Sequence, residues 1–219
     1  MTLGNIGKAS TSDFAGKRKL LVIPYVVAVR DDATLVEMVR TYWRDAVGQV
    51  RGLERSLGHA THLFHEGMAD DANSTEALAL GNPHGYEHLK GLIDSGARLE
   101  PTEDVDSLLE AMDLHRCMSV VQASDRVAER LMQWYEESRK ARYAAIAAAI
   151  DRRLEANGVA VLVVSPDHDI RFASGIEQVY VVPPVLDQIN VWLREHPMEE
   201  ASASQATAPD DDTPGWAKR

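Results

Sequence analysis

Apolar and polar positions along this chain alternate between unbroken β-branched runs and longer segments with helical spacing. The first run, LLVIPYVVAV at residues 20–29, is continuous, as suits a strand covered on both faces of a parallel sheet. Pro24 removes one ladder donor within it and points to an edge position or a bulge. From Asp32 to Gly58 the spacing becomes helical. Leu35, Met38, Val39, Tyr42, Trp43, Ala46, Val47 and Val50 share one face, with Asp32 as N-cap and Gly58 as the stop.

The next segment, HATHLFHEG at 59–67, carries three histidines and a glutamate. In a helix, His59, His62 and Glu66 would share a face at the spacing metal sites use. In a strand, His62, Phe64 and Glu66 point one way and Leu63 and His65 the other. Residues 60–66 are too few for a helix and are closed by Gly67, so the segment reads as a strand. It then cannot offer all three histidines to one metal.

Residues 68–104 are looser: Asn82, Pro83 and Gly85 predict a loop followed by a helix near 84–95. A short strand is expected within 97–104, and Thr102 or Asp104 caps a helix at 105–121. A long helix spans 124–158, capped by Ser124 and closed by Asn157-Gly158. Its apolar stripe is Val127, Leu131, Trp134, Tyr135, Ile146, Ile150 and Leu154. A buried strand at 159–165, a short helical or loop stretch, a strand at 178–184 and a helix at 184–196 complete the series. This order predicts an α/β fold: a mainly parallel sheet of about four or five strands, flanked by helices, with one long central helix. Residues 1–17 and the acidic stretch 197–219 carry few large apolar side chains and are expected to be disordered tails around a single domain at 18–196. Trp216 is the one residue of the second tail suited to docking.

Charge and composition narrow the function classes. With 34 acidic and 23 basic residues the formal charge is −11, which disfavours nucleic-acid binding. The basic cluster Lys17 to Lys19 reads as a solvated strand edge. Cys117 is the sole cysteine, so neither an internal disulfide nor a thiolate zinc site is available, and its apolar helical setting reads as buried. No apolar run is long enough to span a bilayer, and the first residues have no apolar signal-peptide region. A cytoplasmic protein without membrane contact is expected. Dinucleotide, Walker, G-x-S-x-G and H-E-x-x-H motifs are all missing.

Ligands of open parallel sheets bind beyond the carboxyl ends of the strands. Here those ends carry His65-Glu66-Gly67, then Glu100 and Glu103-Asp104, then Ser165-Pro166-Asp167-His168-Asp169. Should they converge, Glu66 and His168 would activate a water, Glu103 and Asp167 would hold a divalent metal, and Arg139 and Arg142 would clamp an anionic substrate. The same residue types are ordinary turn formers and helix caps. His59, His62, His84, His88, His115 and His196 read as surface or packing residues.

The tract 142–170, RYAAIAAAIDRRLEANGVAVLVVSPDHDI, resembles the closing section of the TraB, ChaN and erythromycin-esterase-like superfamily. The resemblance lies in an Arg-bearing helix (Arg142), an apolar strand at 159–165 that ends in a small residue, and His168. Glu66 matches the acidic residue that follows an early strand of that superfamily. The resemblance covers about a third of the chain and implies a metal or esterase-type site. The first strand lacks the Gly and His such families carry there, which implies an incomplete site. Two functions therefore stand: a small hydrolase acting on a small molecule, or a non-catalytic module that binds a small ligand or a protein. The long helix suits a homodimer. Whether Glu66, Glu103 and His168 lie within one metal shell separates the two functions.

Overall fold

A computed structural model describes residues 16–69 and 74–197. Most of both expected tails, Trp216 included, lies outside the described residues. Five strands, β1 (Arg18–Pro24), β2 (Ala60–His65), β3 (Arg98–Glu100), β4 (Val159–Val164) and β5 (Ile176–Tyr180), form one all-parallel sheet in the order β3-β2-β4-β1-β5. Six helices accompany them: α1 (Ala33–Leu57), α2 (Ser74–Gly81), α3 (Pro83–Asp94), α4 (Val105–Met118), α5 (Asp125–Arg153) and α6 (Val185–Glu195).

β4 is apolar throughout, and β1 from Leu20 onward, because both faces are covered. Leu21, Ile23, Leu63, Val161 and Val163 face a core built with α1, α3 and α6. Leu20, Val22, Phe64, Leu162 and Val164 face the other way, onto Tyr143, Ile146 and Ile150 of α5. This division is the alternation of side chains along a strand. α1 starts where Asp32 accepts from the backbone N–H groups of Thr34 and Leu35, and ends at Gly58, whose φ of 102° few other residues adopt. Tyr42 and Trp43 of α1 donate to the carbonyls of Pro24 and Val26, and so fasten the segment that leaves β1.

Several expectations change. β1 stops at Pro24 instead of running to residue 29, and Val27 and Val29 are exposed. β1 is also interior, between β4 and β5. Pro24 is tolerated because it is the last strand residue, after which Tyr25 resumes the ladder to Val164. α2 was not legible, since Ala, Leu and Gly there give no clear amphipathic pattern. β5 begins at Ile176, before the Pro183-Pro184 pair. Lys19 is buried, donating to the Asn157 carbonyl, while Cys117 is exposed. Ser124 occupies the N-cap of α5 without a side-chain hydrogen bond. Only the second half of α5 packs on the sheet. α5 also pairs with α4, and Val127 and Trp134 in its first half stay about half exposed. No helix among the described residues is long and apolar enough to cross a membrane.

Candidate functional site

The carboxyl ends of β1, β2 and β4 lie side by side, so the residues that follow them, Tyr25, Glu66 and Ser165, surround one cavity of about 270 Å³. α2 and α3 close its side with Ala77, Gly81 and Asn82, and α5 contributes Arg142. This is the crevice beyond the strand ends where parallel sheets bind ligands.

Glu66 follows β2 directly. Its Oε2 accepts from the backbone N–H of Ser165 at 2.7 Å, which ties the end of β2 to the end of β4. Its Oε1 lies 3.5 Å from Nη2 of Arg142, the outer limit of a hydrogen bond. A carboxylate oxygen accepts more than one hydrogen bond, so Oε1 retains capacity toward the cavity.

Glu103 reaches the same arginine from another direction. The chain after β3 runs beside the turn after β2: Thr102 and Glu103 donate backbone N–H groups to the Met68 carbonyl at 2.9 and 3.1 Å, and Thr102 Oγ1 donates to the His65 carbonyl at 2.9 Å. Glu103 is thereby turned inward. Its Oε1 accepts from the Gly67 N–H at 2.7 Å and from Arg142 Nη2 at 3.2 Å, and its Oε2 accepts from Arg142 Nε. Burial opposes the charge on Arg142, but the hydrogen bond and charge of Glu103, with the charge of Glu66, more than offset it. The guanidinium is held more firmly protonated than usual. Two carboxylates against one guanidinium leave the cluster with a formal negative charge.

His65 lines the cavity from the α3 side. Its Nδ1 lies 2.6 Å from the Glu66 carbonyl, which only accepts, so Nδ1 carries the proton and Nε2 accepts from Asn82 Nδ2 at 3.3 Å. Burial pushes this imidazole down to about 4, against the opposing hydrogen bond to Glu66. Tyr25 packs edge-on against the ring at 4.8 Å and donates to the Gly81 carbonyl. Burial, with Glu66 nearby, raises the Tyr25 phenol. Tyr143 is raised to about 12 by burial first, then by Glu66 and Asp167.

The structure thus brings together Glu66, Glu103 and Arg142. It sets His168 apart: the ring leans toward the far side of the sheet, stacked on Tyr180 of β5 at 6.3 Å with Phe172 at its edge. Burial lowers its imidazole while Glu66, Asp167 and Asp169 oppose that shift, and its Nδ1 has no hydrogen-bond partner among the described residues. It does not line the cavity. Asp167 is exposed in the turn after β4. Arg139 pairs with Glu136 at 2.9 Å and lies over the Tyr143 ring. Among the described residues, no group of three or more His, Cys, Asp or Glu gathers closely enough to hold a metal ion. The place between Glu66 and Glu103 is taken by a guanidinium.

Tyr25, His65 and Asn82 were missed as site residues. The rule of strand ends would have found Tyr25 had β1 been stopped at Pro24. The Asn82-Pro83 pair marked the cap that delivers Asn82.

Comparison with protein-family models, with the curated proteins and with the solved structures found no match to this chain.

Proposed function

We propose that this α/β protein is a hydrolase of small, uncharged substrates, with its reaction centre in the cavity between Tyr25, Glu66, Arg142 and Ser165. One observation carries the reading. A carboxylate, Glu66, is fixed by Ser165 at the carboxyl ends of parallel strands and lines the cavity, and among the described residues its Oε1 has only the 3.5 Å contact to Arg142. Such an oxygen is suited to take a proton from water. Water then adds to the acyl carbon, the bond to the leaving alcohol breaks, and the alkoxide takes up the proton that Glu66 received. Arg142, the cation of the cavity, offsets the negative charge that develops on the carbonyl oxygen. His168 has no step in this scheme, because its ring faces Tyr180. Nor is a step routed through a metal, because the donors do not gather among the described residues. The resemblance to the TraB, ChaN and erythromycin-esterase-like superfamily agrees with this reading in Glu66 and Arg142.

Two observations favour a second reading, a non-catalytic ligand-binding module whose ion cluster is structural: Glu103 and Arg142 pair with each other, and His168 stands apart from Glu66 and Glu103, so the three form no common metal shell. Hydrolysis of chromogenic esters by wild type and Glu66→Gln separates the two. The amide keeps the shape and removes the base, so a loss of roughly 10²–10⁴-fold is expected. No hydrolysis by wild type favours the second reading, and full activity in Glu66→Gln removes Glu66 as the base.

A further inference from the structure

The cavity at Glu66 is small. At about 270 Å³ it falls just below the range of roughly 300–1,000 Å³ typical of ligand sites. A second hollow of about 460 Å³ opens between α4 and α5, and the two share a wall: Gly67 and Arg142 line both. The second hollow differs in chemistry. Leu108, Ala111 and Met112 supply an apolar floor, while Tyr135, His115 and Arg116 stand around it. α4 fully buries only Leu114, and Met112 stays half exposed, so this floor is partly open among the described residues.

Gly67 stands where the two hollows meet. Its φ is 82°, in the region side chains rarely adopt, and a Cβ built there would meet nothing within 4 Å. The space beside it is open, and no side chain of its own divides the hollows.

We infer that the α4–α5 hollow is the second half of the same site and takes the apolar chain of the substrate, which is therefore a neutral ester or amide with a linear aliphatic acyl chain. The inference rests on the hydrolase reading for its reacting bond and on the shared wall for its chain. Charge supports the choice of a neutral group. The cluster of Glu66, Glu103 and Arg142 carries a formal negative charge, which disfavours a bound carboxylate and favours release of the acid once it forms. Aliphatic floor residues, with a single tyrosine beside them, suit methylenes.

Two measurements on the full chain test this. The first is kcat/KM for p-nitrophenyl acetate, butyrate and octanoate. The second is calorimetric binding of octanamide, with acetamide as the short control, to wild type and Glu66→Gln. Each buried methylene is worth about fourfold, so wild type should prefer octanoate to butyrate by at least tenfold and bind octanamide more tightly than acetamide by a similar factor. Ala111→Phe fills the hollow and Met112→Glu puts a charge in it. Either should bring the octanoate-to-acetate ratio close to one and remove octanamide binding, with helix content by circular dichroism unchanged. Hydrolysis without chain preference, and without octanamide binding, overturns the inference and leaves the hydrolase reading standing. Octanamide binding that Ala111→Phe removes, with no ester hydrolysed, keeps the shared site and overturns the hydrolase reading. Octanamide binding equal in wild type and both hollow variants overturns the inference.

Discussion

Arg142 binds Glu103 through two of its nitrogens, Nε and Nη2, and the Glu103 side chain is wholly shielded from solvent. Removing the cation would strand a buried carboxylate, which in general costs about 3–5 kcal/mol. Arg142→Met is expected to lower stability by that amount in urea titrations. The double variant Arg142→Met, Glu103→Gln should recover part of the loss, because the amide needs no counter-charge. A single variant within about 1 kcal/mol of wild type would show that Glu103 is accommodated without its cation.

His65 makes stability depend on pH. Its imidazole stays neutral in the fold down to about 4, against an ordinary value of 6.5. Between these values the unfolded chain binds a proton that the folded one does not, so stability is complete above 6.5 and falls as pH drops toward 4. The loss by pH 4 is about 3 kcal/mol. Urea midpoints at pH 7.5, 5.5 and 4.5 should decline for wild type more than for His65→Phe. Parallel decline in the two proteins would remove His65 from the account.

Gly85→Ala should destabilise, against the usual helix preference for alanine. The new Cβ would lie 2.3 Å from Asn82 Nδ2 and 2.5 Å from its Oδ1. Asn82 caps α3 by accepting from the Gly85 N–H, and it also holds His65. Displacing it loses the cap, worth about 1 kcal/mol, together with the bond to His65. A thermal melt equal to or above that of wild type would show that Asn82 shifts freely.

Cys117 is exposed on α4. It should react with Ellman's reagent in the native protein, without denaturant, to one equivalent per chain. Release of the thiol only on unfolding would mean that the outer face of α4 is covered in solution, as a homodimer through the α4–α5 pair would require.

Much of the fold was legible in the chain. Unbroken β-branched runs identify β1 and β4, because a strand with helices on both faces must be apolar on both. The helical spacing of Leu35 to Val50 gives α1, and eight residues between two glycines give β2 as a strand. These patterns are local records of burial, so they survive without knowledge of the neighbours. The same locality explains the errors. Val27, Val29, Trp134 and Cys117 sit in apolar surroundings along the chain but remain exposed, because no core element covers them among the described residues.

Glu66, Glu103 and Arg142 could each be proposed from the sequence, by the rule of strand ends and by position on the long helix. Their meeting could not. It depends on β4 lying between β2 and β1, and on the segment after β3 running alongside Met68. The direction of His168 likewise follows from the placement of β5 beyond β1. Composition and periodicity determine which residues are buried and in what element. Strand order determines which strand ends become neighbours, and long-range packing energy, with no local signature, selects that order.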